Sequence, residues 1–111
     1  MGKDVLGEFE LMVLLAVMRL GEEGAYSLAI VDDIQQRTGR GVRRSAVYTT
    51  LKRLEKKGYV STWLGEARPE RGGKARRHVR LEAPGAAAVH ESRRALESMW
   101  ADLDTSKRPA S

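Results

Sequence analysis

"RRSAVYTTLKRLEKKGYV", residues 43–60, decides how the rest of the chain is read. Wound as a helix over 44–57, it puts Val47, Leu51 and Leu54 on one side. Ser45, Thr49, Lys52, Arg53 and Lys56 fall on the opposite arc, with Tyr48 at its flank. Gly58 stands where a left-handed residue closes a helix, after basic residues that suit the negative end of the helix dipole. Past Gly58 the period drops to two. "YVSTWL", 59–64, alternates and is rich in β-branched and aromatic residues, so it reads as a strand. A helix that sorts its charge outward therefore runs directly into a strand.

Downstream, "GEARPERGGKA", 65–75, is a turn with Pro69 and the Gly72–Gly73 pair, and "RRHVRLE", 76–82, is a second strand. The two strands make a β-hairpin whose eleven-residue basic tip is longer than an ordinary hairpin turn. Pro84 and Gly85 open a last helix to about Asp104. On it Val89, Ser92, Leu96, Met99 and Leu103 recur at spacings of three and four, with Trp100 beside them. That is a seam of about two heptads. "TSKRPAS", 105–111, reads as a frayed tail.

Upstream, "SLAIVDDIQQRT", 27–38, is a helix with Ser27 as its expected cap, Ile30, Val31 and Ile34 facing inward, and Gly39 and Gly41 at its end. "LGEFELMVLLAVMRL", 6–20, is the first helix, punctuated by Gly21 and Gly24. It is apolar on two sides: Phe9, Met12, Val13 and Val17 on one, Leu11, Leu14, Leu15 and Met18 on the other. A surface helix shows a single stripe. The second apolar face predicts a further partner, and in so short a chain that partner is another copy.

Composition bounds the function. The 111 residues suffice for one small domain, with 41% hydrophobic and 32% charged residues. Net charge is +5 and the pI about 9.9. The charge is not spread evenly. Residues 43–80 hold twelve Lys or Arg against three Glu, a formal +9; the remainder holds eight basic and twelve acidic residues, a formal −4. Such clustering is what neutralising a polyanion requires. No cysteine is present, which removes disulfides, thiolate metal sites and a cysteine nucleophile. The longest apolar run, "LMVLLAVM" at 11–18, is too short to span a bilayer and follows Glu8 and Glu10, the wrong flank for a signal peptide. A cytoplasmic protein with no membrane partner is expected. Only His78 and His90 are available for acid–base work, in different elements, and no Ser/His/Asp grouping, metal-spaced cluster or phosphate loop is set in its proper context. Neither an enzyme nor a cofactor or metal is expected.

The predicted fold is mainly α with a β-hairpin wing: three helices, two strands and a fourth helix, a winged helix-turn-helix. Its third helix is the candidate reader of a major groove. Arg43, Arg44, Ser45, Tyr48, Thr49, Lys52, Arg53 and Lys56 on that helix are the candidate DNA contacts. Arg71, Lys74, Arg76 and also Arg77 on the hairpin are candidates for flanking backbone or minor groove. Two readings stay open for Tyr48, a DNA contact or packing on the second helix, and two for His78, surface filler or a phosphate contact.

"YTTLKRLEKKGYV", 48–60, followed by "GEARPERGGKARRHVRLEAPG", 65–85, resembles the PadR family of bacterial transcriptional regulators. "LGEFELMVLLAV" and "GAYSLAI" are also similar to that family, and the resemblance covers about 6–104. It implies a homodimeric winged-helix repressor on a palindromic operator in double-stranded DNA, of the compact type with one short C-terminal helix. It implies a dimer interface from the last helix with help from the first, here Phe9, Met12, Val89, Leu96, Met99, Trp100 and Leu103. It also implies a small hydrophobic or phenolic effector near that interface, with Phe9, Met99 and Trp100 as the candidate lining; the alternative is that these three only pack the interface. The chain departs from the family in three places: Arg43 and Arg44 stand where a Ser or Thr cap is usual, His78 and Val79 where the second strand is usually aromatic, and Ser27 where Gly is usual. The expected division is a DNA-binding domain over 1–82, a dimerisation helix over 83–104 and a flexible tail over 105–111. The competing expectation is a winged-helix adaptor that binds protein and not DNA, marked by an apolar exposed face on 44–57; the sequence puts Lys and hydroxyls there.

Overall fold

A computed structural model describes residues 5–65, 75–103 and 106. The order of elements is helix α1 (Glu8–Gly24), α2 (Ser27–Thr38), α3 (Arg44–Lys56), strands β1 (Val60–Leu64) and β2 (Arg77–Leu81), and α4 (Ala83–Trp100). This is the expected winged arrangement, and α1 lies at its centre. Its Val13, Leu14, Ala16 and Val17 are buried against Ile30, Val31 and Ile34 of α2 and Val47, Leu51 and Leu54 of α3. Val60 and Val79 of the hairpin and Val89 of α4 complete the cluster. Every buried member of the cluster is aliphatic, with Leu14, Ile30, Leu51 and Leu54 the largest.

The helix ends follow from local chemistry, with three departures from expectation. Gly21 is left-handed (φ 78°, ψ 175°) and breaks α1 where its end is expected, but one further turn continues to Gly24. Ser27 does not cap α2. Tyr26 holds that position in extended backbone, makes no side-chain cap, and forms an isolated bridge with His78. The neighbouring Ala25 carbonyl accepts from the Val79 amide at 2.9 Å, so residues 25–26 border β2 as a short third ribbon. Pairing with the sheet overrides the local preference for a serine cap. Last, α4 stops at Trp100, short of Asp104, and Asp102 turns left-handed (φ 62°). Gly39 (φ 72°) and Gly58 (φ 80°) close α2 and α3 as expected.

The hairpin is antiparallel, with Val60 opposite Leu81, Thr62 opposite Val79, Trp63 opposite His78 and Leu64 opposite Arg77. One face carries Val60 and Val79 into the core; the other stacks His78 on Trp63, ring centroids 5.5 Å apart. His78 also meets Tyr26 edge-on at 6.2 Å. Through these contacts it joins the wing to the start of α2. The turn between the strands, with its Gly72–Gly73 pair, lies outside the described residues.

Two contacts fix the remaining geometry. The first is steric. Gly85 is buried at the start of α4, where a Cβ would lie 2.3 Å from the Tyr59 carbonyl oxygen. The second is ionic. Glu10, on the first turn of α1, is 7% exposed. It accepts the Gly7 amide at 3.0 Å and the Lys57 ammonium at 3.2 Å, with the Arg53 guanidinium 3.9 Å away. Burial acts to raise its pKa, but the Gly7 hydrogen bond, Lys57 and Arg53 together outweigh burial and hold it below the ordinary 4.5. The beginning of α1 is thereby pinned to the end of α3.

Gly85→Ala should lower unfolding stability by about 1–3 kcal/mol, because backbone and not a flexible side chain must yield; chemical denaturation measures it. Glu10 has a depressed folded-state pKa, so its contribution is complete above its unfolded value and is lost as pH falls through the folded one. Stability should therefore decline below about pH 4.5, and less steeply in Glu10→Gln. Parallel pH profiles for the two proteins would contradict the pinning.

Candidate nucleic-acid interface

The stripe of α3 that covers α1 is Val47, Thr50, Leu51 and Leu54. Thr50 belongs to it although its side chain is polar, which the pattern of aliphatic residues alone did not show. Burial of this stripe leaves Arg43, Arg44, Ser45, Tyr48, Thr49, Lys52, Arg53 and Lys56 exposed. No side chain caps the start of α3; Arg43 occupies the cap position in extended backbone. Ser45 stands in the first turn.

Arg53 is the exception within this group. It lies on the flank nearest α1, with its guanidinium toward Glu10. It remains exposed beside Lys52 and Lys56, with a carboxylate from a distant part of the chain 3.9 Å from its guanidinium.

Tyr48 is 43% exposed. The Lys52 ammonium stands 5.1 Å from its ring centre and the Arg77 guanidinium 6.0 Å. It lies between the helix face and the wing, and lines a groove of 690 Å³ with Tyr26, Ser27, Leu28, Arg44, Ser45, Ala75, Arg76 and Arg77. Arg76 lies over the Tyr26 ring at 4.0 Å. Arg77 donates to the Thr62 hydroxyl at 3.1 Å, and Thr62 donates to Glu55 at 3.0 Å. Arg76 and Arg77 are thus held at the base of the wing, beside α3. Arg71 and Lys74 lie outside the described residues.

Carboxylates are distributed unevenly around this surface. Asp33 takes both Arg19 and Arg37, Glu8 takes Arg40, Glu22 takes Arg80, and Glu97 takes Arg93. Among the described residues, Arg43, Arg44, Lys52, Lys56, Arg76 and Arg77 form no ion pair with a carboxylate. Arg44, Arg76 and Arg77 line one groove with Tyr48, and Lys52 stands beside it; Arg94, on α4, is likewise without a carboxylate partner among the described residues. Sequence reasoning missed Tyr26, Glu55 and Thr62, which act by bracing the cations; nothing in their local pattern distinguishes them.

A second surface lies between α1 and α4. A groove of 480 Å³ is lined by Leu11, Leu15, Met18, Val89, His90, Arg93, Leu96, Glu97 and Trp100. Leu96 is 49% exposed and Trp100 61%. Of Phe9, Met99 and Trp100, Trp100 alone lines this groove. Phe9 is half-buried against the core and Met99 stands 78% exposed outside it. Met12 also packs on the core, near Arg40. The α1 residues that do face α4 are Leu11, Leu15 and Met18. Leu103 is exposed beyond the end of α4.

Among the described residues no helix is long and apolar enough to cross a membrane, and no three His, Cys, Asp or Glu side chains are grouped to hold a metal.

The profile of the Transcriptional regulator PadR-like family matches residues 14–91. No curated protein matches the sequence significantly. Among solved structures, a PadR-like transcription factor from Bacteroides fragilis superposes with a TM-score of 0.68 at 21% identity, covering 82% of each chain. A PadR family transcriptional regulator from Eggerthella lenta gives 0.65 at 22% identity, over 83% of this chain and 79% of that one. RosR from H. salinarum gives 0.65 at 25% identity, over 89% and 81%. The first two likenesses establish the fold. The family profile runs from within α1 to the middle of α4, well over half of the sequence, and on that match the chain belongs to the PadR-like transcriptional regulators, a family of DNA-binding proteins and not of enzymes.

Proposed function

We propose that the chain is a repressor that binds a palindromic operator as a homodimer, with α3 in the major groove and the wing on flanking backbone. The observation that carries this reading is the separation of charge. Most cations elsewhere on the described surface meet a carboxylate, whereas Arg43, Arg44, Lys52 and Lys56 on α3 do not. A duplex offers phosphates at the regular spacing that such a face can neutralise, with release of condensed counterions. Ser45, Thr49 and Tyr48 add short or rigid groups able to bond to phosphates or base edges. The adaptor reading requires an apolar α3 face, and Tyr48 is its only large exposed apolar side chain.

In this reading residues 1–82 form the DNA-binding unit and the segment 83–104, which contains α4, pairs with its counterpart. Support comes from α4 itself, where only Gly85 and Val89 are buried. The partner would cover Leu15, Met18, Leu96 and Trp100, so α1 contributes through Leu11, Leu15 and Met18 instead of Phe9 and Met12. A two-fold pair of this kind presents two reading helices to half-sites about 34–36 Å apart, or a multiple of that. The groove between α1 and α4 is also the place for a flat hydrophobic or phenolic effector, whose entry would change how the copies meet.

Lys52→Ala and Lys56→Ala should each weaken binding to a duplex selected from random DNA by about 3–10-fold at modest salt, and each should reduce the slope of log K against log salt by about 0.9. Fluorescence anisotropy over a salt series reads both, and unchanged affinity for both would remove α3 from the interface. Leu96→Asp should convert the dimer to monomer in sedimentation and reduce operator affinity at least about tenfold, since two linked half-sites bind far more tightly than one. A monomeric wild-type protein would end the dimer reading.

A further inference from the structure

Glu55 is the only acidic residue on α3. It is exposed and lies one turn from Lys52 and next to Lys56, on the helix whose other exposed ionic groups are basic. On charge alone it is unfavourable, because a carboxylate beside a phosphate-facing surface repels the ligand. It forms no ion pair among the described residues. What it does is accept the Thr62 hydroxyl proton at 3.0 Å. A hydroxyl has a single proton, so the oxygen of Thr62 is left to accept, and Arg77 donates to it at 3.1 Å. Arg77 then reaches back toward the Tyr48 ring at 6.0 Å.

The contacts close a ring: α3 at Glu55, β1 at Thr62, β2 at Arg77, and α3 again at Tyr48. Glu55 and Tyr48 are seven residues apart, close to two turns, which is about 10 Å along the helix. The core anchors the hairpin at Val60 and Val79, and these two attachments tie its outer part to α3 at points two turns apart. Arg77 also sits opposite Leu64 in the outermost pair of the described strands, where the wing leaves the sheet.

We propose that Glu55 is the positioning residue of the wing, acting through the Thr62 hydroxyl and Arg77 to fix the angle between hairpin and α3. The inference rests on the DNA-binding reading above for its functional consequence, though not for its geometric one. Removing Glu55 has opposite consequences under the two accounts. If it only adds negative charge, its loss strengthens DNA binding. If it positions the wing, its loss weakens binding.

The test compares Glu55→Ala, Glu55→Gln, Thr62→Val and Thr62→Ser on a duplex selected with the wild-type protein, with thermal melts confirming that each variant is folded. Glu55→Ala and Thr62→Val should bind about fivefold or more weakly, and the double variant should be no worse than either single one, as members of one network are not additive. Thr62→Val should leave the salt slope unchanged, since no cation is lost. Thr62→Ser should restore wild-type affinity. Glu55→Gln keeps an acceptor oxygen and sheds the charge, so it should bind at least as tightly as wild type. Glu55→Ala binding as tightly as Glu55→Gln would overturn the proposal. The chain has no cysteine, so spin labels at Gln36→Cys and Leu64→Cys report the position of the wing without any DNA. Their distance distribution should broaden or shift in Glu55→Ala, and an unchanged distribution would overturn the proposal. Failure to select any duplex would sink the DNA-binding reading, and the label distances would still decide the role of Glu55.

Discussion

The structure depends on keeping one stripe of α1 out of water. Val13, Leu14, Ala16 and Val17 are all buried, and no single neighbour covers them. Two helices, a hairpin and the base of α4 must close on α1 together. That requirement removes freedom elsewhere. α2 turns Ile30, Val31 and Ile34 inward and α3 turns Val47, Thr50, Leu51 and Leu54 inward, so the outward faces of both helices are determined. The cationic surface of α3 is a consequence of burying its opposite side, because the same residues with a different apolar phase would scatter the charge around the helix.

Electrostatics refines what packing allows. Exposed ion pairs such as Glu8–Arg40 and Glu22–Arg80 contribute little stability, on the order of 0–1 kcal/mol each. Their larger effect is on the field. By taking up cations away from α3 they leave the positive potential concentrated on one side, where low-dielectric walls around the groove at Tyr26 and Tyr48 strengthen it. Glu10 works differently. It is buried, accepts a backbone amide and the Lys57 ammonium, and has the exposed Arg53 3.9 Å away, so it fixes the junction of α1 and α3.

Periodicity made the elements legible. The apolar phase at 47, 51 and 54, the shift to alternation after Gly58 and the left-handed glycines at 39 and 58 are local properties, and local properties survive in a sequence. What was not legible depended on distant residues. Ser27 has the chemistry of a cap, yet Tyr26 takes that place because residues 25–26 border β2. Arg53 has the phase of an exposed cation, yet Glu10, 43 positions earlier, sits beside it. On α1 two arcs are equally apolar, and hydrophobicity alone cannot say that Phe9 and Met12 belong to the core while Leu15 and Met18 face α4. His78 looked like a surface group because its neighbours Trp63 and Tyr26 come from separate parts of the chain. The bracing of Arg77 by Thr62 and Glu55 was invisible for the same reason.

A single residue, Tyr59, bonds to both of the helices that carry the two surfaces. The Tyr59 amide donates to the Leu54 carbonyl at the end of α3, at 2.9 Å, and the Tyr59 carbonyl accepts the Glu82 amide at the start of α4, also at 2.9 Å. Gly85 packs against that same carbonyl so closely that no side chain fits between them. Beyond Val89, α4 has no buried residue. Its direction is therefore set almost entirely at its base, within one residue of the segment that closes α3. Leu96 and Trp100 lie on the outer part of α4, while Tyr59 and Gly85 hold its base beside the end of α3.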